Sequence, residues 1–591
     1  MATLDSASPP PVEQSVQSIR VDDIPLLLKI LVLIGVPASI DAAYTPHGNH
    51  SGLSVGWLVT LWLVYIVSES DHRLELVRDW VTKRRPALEI LIGQPISATD
   101  FTDDRLADAA RYLSDDAVWA QVETAVSRTT IRVYNLATDQ VRLDATVGQV
   151  AHDPAHHPLF QVGRTKAGDY AAQFKLMLGG LDPLGLPLAV AVVAGDRADD
   201  PLYLPAYRRI RQTLDKVGVL YVGDCKMGAL ETRATMQAGD DFYLLPLAQV
   251  GATPAELTAQ LQRLAAGEVT LTPIYRPEDL AATPDQSPDP ARALAEGFET
   301  TLQRTAEIVV ADQPQTVTWS ERVLCVRSKA FAAAEQQALA RRVQQAVAEL
   351  AALTPPPGRG QRQFQEAAPL QAAVDAIVTR RGVADLLAIA LARQETVRQV
   401  RGYRGQPGRS ETTVRYQVQV SIKLAALDAA QQRLGWRLYA TNAPVARLPL
   451  TQAVLAYRDQ YLVERAFARL HGRALGVTPL YLQRDDHALG LIRILTLALR
   501  ALVALEFAVR RRLAQAQTTV AGLFPSQPQR RAARPQAETL LRAFRDITLT
   551  IVGTADGQVA RHLTPLTAVQ TAILGLLDWS PAVYTVLCTT A

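Results

Sequence analysis

Val219-Leu-Tyr-Val-Gly-Asp-Cys-Lys-Met227 is the stretch on which the reading of the chain turns. Leu220, Val222 and Asp224 alternate onto one face of a strand, Tyr221 and Cys225 onto the other. Gly228 and a helical pattern follow, so the strand delivers a carboxylate to the rim of a sheet. Open α/β sheets hold ligands at such rims. A lone acid there is also an ordinary turn residue, so its meaning depends on whether other acids reach it.

Working outward, Val141–Val147 reads as a strand with Arg142, Asp144 and Thr146 on one face. An acid in mid-strand is costly to bury without a partner or a metal. Between it and Asp224 lie strand patterns at Gln173–Gly179 and Leu186–Ala194, joined by the turn Leu181-Asp-Pro-Leu-Gly185. A helical stripe over Asp199–Val217 then leads back. A hairpin and one crossover helix let the two acid-bearing strands lie side by side. The third acid sits in a helix expected over about Leu448–His471. At 3.6 residues per turn, Tyr457, Glu464 and His471 line one face, with Gln460 and Tyr461 beside it.

The remaining chain frames this constellation. Its 591 residues suit several domains, and 48% hydrophobic with 20% charged residues is an ordinary soluble composition. The net charge is only +3, but the basic residues are mostly Arg, clustered at Arg393–Arg415, Arg510–Arg512 and Arg530–Arg534. Arg presents a planar fork suited to phosphate; a solvated Arg-rich surface is the plainer reading. Residues about 20 to 130 read as helices, including the apolar run Leu53–Val67, which is short for a membrane span and runs into Ser68-Glu-Ser-Asp-His-Arg73. Leu495–Val509, broken by Arg500 and Glu506, reads as a packed helix. Strand texture is expected from Thr130–Tyr134 onward. Three scattered cysteines (Cys225, Cys325, Cys588) give neither a disulfide framework nor a zinc spacing and suit a reducing compartment. His152-Asp-Pro-Ala-His-His157 reads as a polar hairpin before a zinc cluster. Pro- and Gly-rich breaks at Ala281–Pro290, Pro355–Gly360 and Gly402–Gly408 punctuate an inserted module. It reads as strands at Thr316–Ser328 and Val414–Ile422 with helices at Ala332–Leu353 and Ala368–Ala392.

The Asp-x-Thr strand, the strand ending Val-Gly-Asp and the Tyr…Glu…His helix together resemble the DDE transposases of bacterial insertion sequences. Further likenesses are Asn49-His-Ser-Gly-Leu-Ser-Val-Gly56, Ser68-Glu-Ser-Asp-His-Arg73, Gly185-Leu-Pro-Leu188 and Asp485-Asp-His487, so the resemblance runs from about Val21 to Leu513. It implies an α/β fold: a ribonuclease H-like mixed-sheet catalytic core, interrupted by a β/α insertion and flanked by an N-terminal all-α domain and a helical C-terminus. The corresponding boundaries are a disordered 1–20, a helical 21–125 expected to hold DNA ends, core segments 126–250 and 441–513, the insertion 251–440 and a C-terminal region 514–591. It implies Asp144, Asp224 and Glu464 as catalytic residues and metal ligands, with Mg²⁺ as cofactor and Mn²⁺ able to substitute. Hard Mg²⁺ prefers carboxylate oxygen, and in-line phosphodiester chemistry suits two such ions. DNA contacts are implied for Tyr457, Arg458, Gln460, Arg465 and His471. The family helix carries Arg and Lys where this chain has Gln460 and His471, and His supplies charge only when protonated. The implied partners are double-stranded DNA, both element ends and target, and a second copy on DNA, with no membrane; the implied location is the bacterial cytoplasm, on the nucleoid when DNA is bound. A catalytically weak DNA-end-binding remnant and a ribonuclease H-like nuclease without joining activity are the alternatives.

Overall fold

The computed structural model describes residues 15–45, 51–165, 167–280, 288–310, 312–358, 360–361, 363–402, 407–553 and 559–588. Asn49 and His50 of the segment quoted above, and part of the Ala281–Pro290 break, lie outside them. The protein is mixed α/β and divides into two units. One comprises 1–245, 305–319 and 456–591; the other comprises 246–304 and 320–455.

In the first unit, strand β1 (Ser15–Arg20) pairs antiparallel with Thr548–Gly553, which pairs in turn with Val559–Leu563. Part of the stretch expected to be disordered is therefore a strand, and the C-terminal region is not purely helical. Ile19 and Leu549 are buried, which gives this small sheet an apolar anchor. Among the described residues six α-helices follow, from Ile24–Leu33 to Asp116–Tyr134. Ser54 caps the apolar helix Val55–Glu69 by accepting from the Trp57 amide. Thr130–Tyr134, read as strand from its β-branched residues, is instead the last turn of Asp116–Tyr134. Thr130 is buried there, with its hydroxyl donating to the Val126 carbonyl.

The main sheet of this unit is built from β2 (Gln140–Gln149), β3 (Gln161–Arg164), β4 (Tyr170–Leu181), β5 (Leu186–Ala194), β6 (Leu220–Gly223) and β7 (Phe242–Pro246). β4 pairs antiparallel with β2 on one side and with β3 and β5 on the other. β2, β6 and β7 are parallel. The β5-to-β6 crossover is the helix Tyr203–Leu214, whose Ile210 packs beside Leu143 and Gly179 on one sheet face. The opposite face of β2 meets the helix Tyr461–His471. Gly185, with φ +68°, turns the β4–β5 hairpin next to the Leu462 carbonyl, where a Cβ would crowd that oxygen.

The helix Asp485–Gln515 runs through this unit, packed against Asp103–Ser114, Val55–Glu69 and β5. It is long and apolar enough to cross a membrane, yet it is buried in the structure. Its polar residues are paired: Arg500 and Glu123 are both fully buried and bonded at 2.7 Å, and Arg493 pairs with Asp116. The N-terminal helices thus share a core with the sheet instead of standing apart.

The second unit contains β8 (Thr272–Ile274), β9 (Ala295–Val310), β10 (Gln313–Ser328), β11 (Leu387–Val400), β12 (Arg409–Ile422) and β13 (Trp436–Thr441), with the β9–β10 tip counted in the first unit. Helices Lys329–Leu353 and Ala367–Arg381 pack on one another and on the base of the β11–β12 ribbon. The second of these was expected to run to Ala392. It stops at Arg381 because Gly382 takes a left-handed cap, and the apolar alternation Leu387, Ile389, Leu391 then forms β11.

Candidate active site

Asp144 and Asp224 each follow directly on the paired ends of β2 and β6. β2 and β6 are paired in parallel as far as Leu143 opposite Gly223, and Asp144 and Asp224 are the next residues on each strand. Asp224 keeps an extended backbone as it leaves β6 and caps the turn Cys225–Gly228. Both are half-buried. Asp144 accepts from the Ala145 amide at 2.8 Å and from the Gln460 side chain at 3.4 Å. Asp224 accepts from the Lys226 amide at 2.9 Å and from the Tyr203 hydroxyl at 2.5 Å.

Tyr203 is a residue that the sequence reading passed over. It is fully buried at the start of the crossover helix. Burial, followed by the negative charges of Asp224 and Asp144, raises its pKa, so the phenol stays neutral and acts as a donor. The available signal was an aromatic residue one turn before Tyr207 on the same helix face.

Glu464 is carried by Tyr461–His471, not by one long helix. The expected helix Leu448–His471 is broken: Leu450–Arg458 ends, Asp459 and Gln460 form a turn, and Tyr461–His471 begins afresh. Arg142 explains the break. Its guanidinium donates to the Ala456 carbonyl at 2.7 Å, the acceptor that the Gln460 amide would use in a continuous helix, while that amide bonds to the Tyr457 carbonyl instead. Arg142 is itself buried and ion-paired to Asp182 at 2.6 Å. Tyr457 and Arg458 sit at the end of the preceding helix.

Two contacts fix the new helix over β2. Gln460 reaches Asp144, and the His471 imidazole lies 3.4 Å from the Thr146 hydroxyl. Glu464 is one turn beyond Gln460 and two turns before His471, so its position is bracketed by these contacts, with its side chain exposed. Arg465 points elsewhere. It pairs with Glu506 beside Arg469 and Arg510, and burial plus those two cations push its pKa down to about 10. It lines a cavity of about 630 Å³ with Leu462, Phe507 and Arg510.

The donor chemistry of the Asp pair suits a hard divalent ion. Such an ion takes one or two carboxylates and completes its shell with water and phosphate. Among the described residues no three His, Cys, Asp or Glu side chains are grouped closely enough to hold a metal, so Glu464 stands outside the pair. The His152–His157 segment is structural. His152 meets the Leu482 carbonyl at 2.8 Å, and His157 meets Asp485 at 2.7 Å, which ties the hairpin to the start of the long helix. Arg510 and Arg511 of the second Arg cluster are turned inward, onto Glu506 and the Tyr134 carbonyl.

No protein-family model matches the chain, and no curated protein matches it in sequence. A solved structure, a piggyBac transposase synaptic complex with hairpin DNA, aligns over 97% of this chain and 86% of its own, at 8% identity and a TM-score of 0.33.

Proposed function

We propose that the chain is a DNA transposase that cleaves and joins phosphodiesters at the ends of a mobile element. The observation that supports this reading is the parallel pairing of β2 and β6 up to the residues just before Asp144 and Asp224, with the helix that carries Glu464 held over β2 through Gln460 and His471. The sheet around them is antiparallel from β5 through β4 to β2 and parallel from β2 through β6 to β7, with helices on both faces. That arrangement suits the ribonuclease H-like core implied by the sequence resemblance. Bound Mg²⁺ would activate the attacking water or 3′-hydroxyl and stabilise the leaving oxygen. Asp144 and Asp224 would hold it, and Tyr203 and the Lys226 amide orient the second carboxylate. Glu464 would complete the site when DNA is bound. Gln460 and His471 would meet the phosphates flanking the cut.

The exposed position of Glu464 favours one further reading, a protein that binds element ends and cuts weakly or not at all. The test is incubation of the purified chain with duplex DNA carrying the inverted repeats that flank its coding region. The proposal expects Mg²⁺-dependent nicking followed by joining to target DNA, abolished by Asp144→Asn, Asp224→Asn and Glu464→Gln. Specific binding without cleavage in Mg²⁺ or Mn²⁺ would establish the remnant, and cleavage without joining a plain nuclease.

A further inference from the structure

The β11–β12 ribbon extends well past the core that supports it. At its base, Leu387, Ile389 and Leu391 lie opposite Ile422, Val420 and Val418, and this face packs on the helices Lys329–Leu353 and Ala367–Arg381. Beyond Leu391 the pairing continues to Val400 opposite Arg409, and in this distal part β11 is exposed on both faces almost throughout. At about 3.4 Å per residue the projecting part is roughly 30 Å long. A two-stranded ribbon without a covering layer is marginal in water. The length of this one therefore suits contact with a partner.

The register shows what that partner would meet. One face carries Gln394, Thr396, Arg398 and, at its far end, Val400 from β11, and Arg415, Thr413, Glu411 and Arg409 from β12. The face continues onto the base as Ala388, Ala390, Gln417, Gln419 and Ser421, all exposed, so small and polar residues make up the base of this face. Its three arginines face one acid, and Glu411 is held by Arg409 at 2.5 Å. On the other face Arg393 is paired with Glu395. Arg, Gln and Thr are the residue types that meet phosphates and base edges, and a two-stranded ribbon fits a major groove about 12 Å wide.

We propose that the distal ribbon is a DNA-binding arm that lies in the major groove of a duplex, with Arg398, Arg409 and Arg415 against it. This rests on the transposase reading and adds to it a second DNA surface, remote in sequence from the carboxylates. The test uses the full chain and a random-sequence duplex of roughly 30 base pairs, about three helical turns, with binding followed by fluorescence anisotropy over a range of KCl. The variant Arg398→Ala/Arg409→Ala/Arg415→Ala should bind at least tenfold more weakly. Its slope of log affinity against log salt should be shallower by about 2–3, at roughly 0.9 per phosphate contact. Replacing the same three residues with Lys should keep the slope. Circular dichroism should show all variants folded, because the substituted side chains lie outside the core. Wild-type binding with an unchanged triple Ala variant overturns the arm alone, whereas a wild type that binds no DNA overturns the transposase reading as well. A triple Ala variant that keeps its DNA affinity but loses self-association assigns the ribbon to a second copy of the chain and also overturns the proposal.

Discussion

At the scale of single residues, the site depends on groups that hold other groups. Tyr203 donates to Asp224 from a buried position. Tyr203→Phe keeps the packing and removes the hydrogen bond. Loss of such a supporting donor typically costs about 10–100-fold in metal affinity or activity. The Mg²⁺ concentration giving half-maximal cleavage should therefore rise by at least about tenfold, and an unchanged Mg²⁺ titration would reduce Tyr203 to a packing residue. A second buried group carries a pH signature. Asp23 accepts from the Ser68 hydroxyl at 2.6 Å, yet burial pushes its pKa up to about 6. The folded protein thus holds the Asp23 proton more tightly than the unfolded chain does. Its contribution is present below about pH 4 and is lost as the pH rises through 6, at about 1.4 kcal/mol per pKa unit. Asp23→Asn should add roughly 2–3 kcal/mol at pH 7 and nothing near pH 3, as measured by urea unfolding at the two pH values.

At the scale of elements, the sequence was most legible where periodicity and caps are local. The strands bearing Asp144 and Asp224 follow from alternation, and the crossover helix between them from its stripe of Tyr207, Ile210 and Leu214. The break before Tyr461 was not legible. No Gly or Pro marks it; it arises because Arg142, over 300 positions earlier, takes the Ala456 carbonyl. The end of Ala367–Arg381 was legible in principle, since Gly382 is an ordinary left-handed stop that the apolar run beyond it obscured. Helix packing supplies a test of its own. A Cβ on Gly490 would fall 1.8 Å from the Ala110 carbonyl, a backbone atom with no rotamer by which to retreat. Gly490→Ala should separate Asp485–Gln515 from Asp103–Ser114 and cost about 1–3 kcal/mol or more, despite the better helix propensity of Ala. Unfolding in urea checks this, and a stabilised variant would refute the close approach.

At the scale of the whole molecule, the chain returns on itself in ways that no window of sequence displays. β1 is completed by strands near the opposite terminus, and the helix Asp485–Gln515 supplies the core around which the N-terminal helices gather. Both depend on partners hundreds of residues away, so composition alone read β1 as disorder and the C-terminal region as helix. The candidate site is a partial case. Two of its carboxylates follow on neighbouring parallel strands, which alternation foreshadows, while the third rides a helix whose placement depends on Arg142, Gln460 and His471. The central claim is that these three acids form one metal site on DNA. The most direct measurement is the anomalous scattering of Mn²⁺ in crystals of the full chain bound to its element ends. The account predicts Mn²⁺ between Asp144 and Asp224 at ligand distances of about 2.2 Å, with Glu464 drawn into or beside its shell. Mn²⁺ absent from that pair, or bound there with Glu464 still facing solvent, would contradict it.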